Sequence, residues 1–252
     1  VDSPERKVPE FSLYKGQLPL HVAAGCGHAE AVKLLLDHGA NANERGSCYF
    51  SPLIAWSNQG SEAVLRVLIE SRAELDHETA CGFRAVELSA FSGRHVGLKA
   101  LLKAGASCKS TSTGLNPLHS ACAAGAGRDI VLTLLDARAS PNDRFMPHHG
   151  ALRKVLSVFS VAHCIGVRTR GCLRWYHSWG ATPLMAALVH GSHDEALALL
   201  ERGADVTLKN KRGANAEALA KWFEAPESLV CAIQKRAHFS TTRWCAPFVS
   251  LV

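Results

Sequence analysis

The chain has 252 residues, of which 47% are hydrophobic and 20% charged, with nine cysteines and a formal net charge of +6. That balance excludes a wholly disordered chain, and an odd, scattered set of cysteines excludes a small disulfide-stapled domain, so a reducing intracellular setting, cytoplasm or nucleus, is expected. The excess charge sits between Arg144 and Trp179, where Arg144, Arg153, Lys154, Arg168, Arg170 and Arg174 meet no Asp or Glu, so basic character belongs to one segment and not to a continuous face.

The chain starts at Val1 without a basic stretch, apolar run and small-residue cleavage site, so no secretory signal is read, and a fragment of a longer chain is compatible with it. Residues 1–15, with two prolines and no apolar periodicity, are expected to form an irregular leader. From Gly16 a pattern begins that recurs to near the end. In GQLPLHVAAGCGHAEAVKLLLDHGANAN (16–43), Pro19 and Leu20 open a short helix and Gly27 breaks it. Val32, Leu34, Leu35 and Leu36 give a second helix its apolar side, and Gly39 suits the left-handed turn that ends it.

The residue opening each first helix recurs at Pro19, Pro52, Ala85, Pro117, Pro183 and Ala216, in steps of 33, 33, 32, 66 and 33. Ser51, Asn116 and Thr182 place a capping oxygen directly before a proline, which needs no N–H partner at the first helical position. Leu18 and Arg84 lack that oxygen, and Arg84-Ala85-Val86-Glu87 is the most eroded readable opening. The second helices are predicted within 61–70, 94–103, 129–136 and 192–201, each with apolar residues at helical spacing. Glycine ends three units at Gly39, Gly105 and Gly203; Arg72 and Arg138 stand in that place in two others, where strain or a different closure is expected. Unit four has one extra residue in Gly125-Ala126-Gly127, and the last unit, 213–236, replaces its glycine turn by Glu224-Ala225-Pro226, as suits an end cap.

A period of 33 with a TPLH-like opening resembles the ankyrin repeat, most closely at 181–206 and in the opening unit. The resemblance implies an all-α solenoid of helix-turn-helix units with short hairpin loops: a leader at 1–15, repeats one to four at 16–145, closing repeats at 179–236 and a tail at 237–252. The intervening 146–178 has the length of a repeat but only the partial stripe Leu152, Val155, Leu156, Phe159. It reads either as a degenerate repeat holding its place in the stack, as a basic insert extruded so that the flanking units stack directly, or as a poorly folding or artefactual stretch. Its apolar run Val155–Val167 is too short for a membrane span, which needs about 20 residues, so no transmembrane segment is expected.

No chemistry is expected of this chain. His148, His149, His163, His177, Cys164 and Cys172 crowd the insert, but without the paired spacings of a zinc site, and His163-Cys164 adjacency alone does not make a nucleophile. Phosphate-loop, nucleophile-elbow and H-E-x-x-H signatures are absent, so no catalytic residue, cofactor or metal is assigned. His21 and His119 fill the TPLH histidine slot, where the resemblance implies hydrogen bonding between neighbouring units.

The resemblance further implies contact residues at the hairpin tips and on the exposed side of the first helices, and a protein partner bound on the concave face by a non-catalytic scaffold or adaptor. Carried over slot by slot, the tips are Gln17, Phe50, Phe83, Leu115 and Ala181. The helix face is Gly25, Cys26, Asn58, Gln59, Phe91, Ser92, Ala123, Ala124, Val189 and His190. From these the expected partner-binding set is Phe50, Asn58, Gln59, Phe83, Phe91, Leu115 and His190, with an aromatic column in the middle units; the competing reading folds the rings back over the hairpin backbone. Trp56 fills a slot where the family has alanine, so it is expected to displace unit two or swing outward. Two other functions stay open: the substrate-recognition arm of a ubiquitin-ligase adaptor, from a loose likeness of 226–249 to a SOCS box, and anionic-surface or nucleic-acid binding through 144–179. A monomer is expected.

Overall fold

The computed structural model describes residues 18–46, 49–57, 60–80, 82–112, 114–146 and 177–242. They form six helix pairs and, among the described residues, no strand: α1 (Pro19–Gly25) with α2 (Ala29–Asp37), α3 (Pro52–Trp56) with α4 (Glu62–Glu70), α5 (Ala85–Phe91) with α6 (His95–Lys103), α7 (Pro117–Ala124) with α8 (Arg128–Asp136), α9 (Pro183–His190) with α10 (His193–Glu201), and α11 (Ala216–Trp222) with α12 (Glu227–Thr242). First helices pack on first helices along the row α1-α3-α5-α7-α9-α11, and second helices along α2-α4-α6-α8-α10-α12. A five- to nine-residue helix is too short to be stable alone; burial between neighbouring units supplies what its length does not.

The openings form as capping chemistry dictates. Ser51 Oγ accepts the Ile54 N–H at 3.3 Å, Asn116 Oδ1 that of His119 at 3.2 Å, Thr182 Oγ1 that of Met185 at 3.4 Å and Asn215 Oδ1 that of Ala218 at 3.0 Å. Leu18 supplies no such bond. The Arg84 opening is rewired and not merely eroded. Glu87, which occupies the histidine slot, accepts the Arg84 backbone N–H at 3.0 Å and the Arg84 Nε–H at 3.2 Å, so the carboxylate caps α5 from the other side. Both side chains are buried, and Arg84 also donates to the Lys109 carbonyl of the next hairpin. At the second-helix ends Arg72 (φ 57°) and Arg138 (φ 65°) adopt the left-handed conformation that Gly39, Gly105 and Gly203 adopt freely.

Trp56 corrects the expectation drawn from the family alanine. It is fully buried, with its indole N–H donated to the Ser61 carbonyl at 2.6 Å, and it does not swing outward. Room comes from Gly97 of α6: a Cβ there would meet the six-membered ring at 3.0 and 3.1 Å. The rest of the Trp56 column is Ala23, Ser89, Ala121, Ala187 and Ala220, all buried, which is how the first helices approach closely.

The stack passes directly from the fourth pair to the fifth. The first helices α7 and α9 pack together, as do the second helices α8 and α10. Residues 147–176, with the partial stripe and most of the candidate zinc set, lie outside the described residues; of that set His177 is described. Glu227–Thr242 is longer than the other described helices; it packs against α10 and α11, and its Leu229 and Ile233 are buried.

Candidate protein-binding face

The bonds that fix each hairpin to the next unit recur at equal slots. Asn43 Oδ1 accepts the Glu74 N–H at 2.7 Å, Asp76 Oδ1 that of Ser107 at 2.9 Å, and Asn142 Oδ1 that of Asp205 at 2.8 Å. The TPLH histidines do the same deeper in. His21 Nε2–H donates to the Phe50 carbonyl at 2.9 Å, 29 residues on, and His119 Nε2–H to the Ala181 carbonyl at 3.0 Å, 62 residues on. This is the inter-unit role that the resemblance implied for both. Burial pushes the His119 imidazole down to about 4, so it is neutral at neutral pH and its Nδ1 is free to accept the Asn116 N–H at 3.4 Å.

Each tip is held rigid by a short turn. Gly46 N–H donates to the Phe50 carbonyl, Thr79 to Phe83, Thr111 to Leu115 and Asn210 to Ala214, at 2.7–2.9 Å. Phe50, Phe83 and Leu115 therefore occupy one equivalent position on successive tips, and their side chains are half-buried. Phe91, the last residue of α5, is 56% exposed. His190 is half-buried at the end of α9, its Nδ1–H donated to the Ala186 carbonyl at 2.9 Å. Asn58 and Gln59 lie outside the described residues, as does Gln17. Of the other carried-over positions, Gly25, Ala181 and Val189 are buried, Cys26 and Ala123 are half-buried, and Ser92 and Ala124 are exposed.

One residue escaped the sequence reading. Trp222 ends α11 in the slot that Phe91 holds in α5 and is 61% exposed. Its spacing from Ala216 equals that of Phe91 from Ala85, a signal hidden by the likeness of this unit to an end cap. Beside this face, the turn enlarged by Gly125-Ala126-Gly127 and the end of α9 enclose a cleft of about 530 Å³ bordered by Ala124, His190 and Glu195. Glu195 is buried there and accepts the Gly127 N–H at 2.7 Å. Among the described residues no cluster of His, Cys, Asp or Glu is arranged to hold a metal ion, and no helix is long and apolar enough to cross a membrane.

Stacked helix pairs, a bonded row of hairpin tips and an apolar face without a catalytic constellation among the described residues define a repeat-based binding module. Ankyrin-repeat models match residues 5–79 and 53–144 as three-copy sets and 179–211 as a single repeat, and the chain belongs to the ankyrin repeat family. It is 30% identical over 194 residues to the transient receptor potential cation channel subfamily A member 1 of Homo sapiens, covering 76% of this chain and 15% of that protein. It is 31% identical over 132 residues to Rabankyrin-5 of Mus musculus, covering 51% of this chain and 11% of that one. The matches thus span a small part of these relatives' lengths. Among solved structures, the crystal structure of the human ASB11 ankyrin repeat domain is similar at a TM-score of 0.53 and 25% identity, over 87% of this chain and 98% of that one. Ankyrin repeats generally mediate protein–protein interactions and are usually non-catalytic.

Proposed function

We propose that this array is a non-catalytic scaffold or adaptor that binds a protein partner on its concave face, with Phe50, Phe83, Phe91 and Leu115 as anchors. The observation that carries the reading is Phe91, a large apolar side chain 56% exposed at the end of a first helix, together with three half-buried apolar tips at equivalent positions. Tips closed by backbone bonds keep their shape before a partner arrives, which limits the ordering entropy lost on binding. Asn58, Gln59 and His190 complete the proposed contact set. The reading includes an intracellular setting, supported by free thiols at Cys26, Cys108, Cys122 and Cys231.

For the ubiquitin-ligase reading, the stretch of α12 carrying Leu229 and Ile233 is already engaged in closing the last helix pair. The test is partner capture by the full chain. Phe50→Ser with Phe83→Ser, and separately Phe91→Ser, should each lose partners that the wild type retains. Leu34→Ser with Val96→Ser, both exposed on second helices, should lose none. Retention of every partner by the phenylalanine variants defeats the proposal.

A further inference from the structure

We infer that the last two units carry a docking surface for an acidic linear segment of a partner protein, which sets an apolar side chain on Trp222 and its carboxylates against Lys209, Lys211 and Arg212. The inference rests on the protein-binding reading above and adds to it a second anchor and the chemistry of the occupant.

Trp222 is exposed, yet its ring is not left to wander. His177 lies against it with ring centroids 5.1 Å apart and planes tilted by 45°, and the same imidazole meets Phe223 edge-on at 6.2 Å. His177 is buried and its carbonyl accepts the Asn210 Nδ2–H at 3.1 Å, while the Lys211 N–H is donated to the Trp179 carbonyl at 3.0 Å. One bonded unit therefore joins the exposed indole to the hairpin bearing the cations. An indole held in place before binding gives up little entropy when covered, and Trp and Arg are the side chains most often found to dominate interfaces.

Charge selects the occupant. Lys209, Lys211 and Arg212 are all exposed, and from Thr207 to Ala214 the hairpin has no carboxylate. Of the acids flanking that hairpin, Asp205 accepts from Thr207 N–H and Oγ–H at 2.8 and 2.6 Å, and Glu217 from Lys221 at 2.9 Å and Gln234 at 3.0 Å; the exposed Glu224 and Glu227 follow Trp222 and leave the positive charge on the hairpin. The hairpin before Phe83 differs, since its Glu74 and Asp76 already face Arg45 and Arg84 at 3.9 and 3.8 Å and Glu78 accepts the Ser112 N–H at 3.1 Å. Cations without a carboxylate in their own hairpin therefore place an acidic segment at the Trp222 end. A nucleic-acid backbone is held by many phosphate contacts, which three cations on one hairpin do not supply, and an apolar anchor on the same bonded unit suits a peptide side chain.

The experiment measures fluorescence anisotropy of a short labelled peptide of Asp and Glu around two central leucines, against the full chain at physiological salt. Its controls are the same peptide with Lys and Arg in place of the acids and a labelled single-stranded oligonucleotide. The acidic peptide should bind in preference to both. Trp222→Ser, and separately Lys209→Glu with Lys211→Glu, should each weaken it about tenfold or more. Phe50→Ser with Phe83→Ser should leave it unchanged, so this site succeeds or fails independently of the aromatic tips. Tighter binding of the basic peptide or the oligonucleotide overturns the inference, as does acidic-peptide binding that the Trp222 and lysine variants do not alter.

Discussion

Trp56 and Gly97 fit together as ring and vacancy: the indole of α3 fills, at full burial, the place where a side chain on α6 would stand. Equivalent positions to Gly97 carry Val64 in α4 and Ile130 in α8, so the glycine belongs to the tryptophan and not to the repeat. Replacing Gly97 by Ala gains about 1 kcal/mol of helix propensity, but the new Cβ sits 3.0–3.1 Å from a ring anchored by its bond to Ser61. We expect the clash to win in the wild type, so that Gly97→Ala destabilises. In a Trp56→Leu background the same change should stabilise. Urea unfolding of the four proteins in this cycle checks it; a ΔΔG of one sign in both backgrounds rejects the pairing.

At the start of α1 Leu18 serves the His21 N–H through its carbonyl alone, at 3.0 Å. It gives α1 no side-chain cap, and the buried His21 Nδ1 has no hydrogen-bond partner. In unit four, by contrast, Asn116 caps α7 and its N–H reaches His119 Nδ1. Leu18→Thr supplies a hydroxyl that accepts the His21 N–H and offers its hydrogen to Nδ1. Since Leu18 is 42% exposed, little apolar burial is lost. A gain of about 1 kcal/mol is expected in the unfolding free energy, absent from Leu18→Ala.

The periodic part of the fold was legible because the repeat writes the same physics many times. Capping residue, proline, small column and glycine turn recur at fixed spacing, and the second helices fall where their apolar stripes predict. What escaped was compensation by a second residue that the slot-by-slot reading does not pair with the first. Trp56 looked disruptive because Gly97 stands 41 positions away in sequence, and no local rule links the two. Arg84 looked like a lost cap because the cap came from Glu87 downstream, with a charge in the histidine slot. Trp222 was passed over for the opposite reason: its slot was readable, but the unit had been assigned a purely structural role.

His119 should make the array acid-sensitive. Its folded pKa of about 4 lies below the ordinary 6.5 because burial disfavours the imidazolium, despite the Ala181 carbonyl and Asp143. A depressed folded pKa means the unfolded chain takes up the proton first. Stability is therefore full above pH 6.5 and is lost as the pH falls toward 4, by about 3 kcal/mol at most from this group. Protonation also turns Nδ1 into a donor, which loses the Asn116 N–H as a partner and turns to Asn116 Oδ1 at 3.1 Å. Unfolding free energies measured across this window should slope less steeply for His119→Gln than for wild type; equal slopes count against the assignment.

The seam between the fourth and fifth pairs makes the strongest case for direct stacking. His119 to Ala181 and Asn142 to Asp205 repeat the bonds of His21 to Phe50 and Asn43 to Glu74, one period further apart in sequence. Phe145 and Ala181 are joined by the Phe145 N–H at 2.8 Å, and Ser192 Oγ–H reaches the buried Cys122 carbonyl at 2.7 Å. The outer pairs Arg202 with Asp136 and Arg128 with Glu201 are solvent-exposed and screened by water, so the inner bonds dominate. With the register complete on both sides, removing residues 147–176 and bridging Met146 to His177 by a short glycine linker should leave the unfolding free energy unchanged within about 1 kcal/mol. Ser192→Ala, which strips the Cys122 carbonyl of its buried donor, should lower it by about 1–3 kcal/mol. A deletion variant that unfolds in two separate transitions would show that the seam needs the segment it omits.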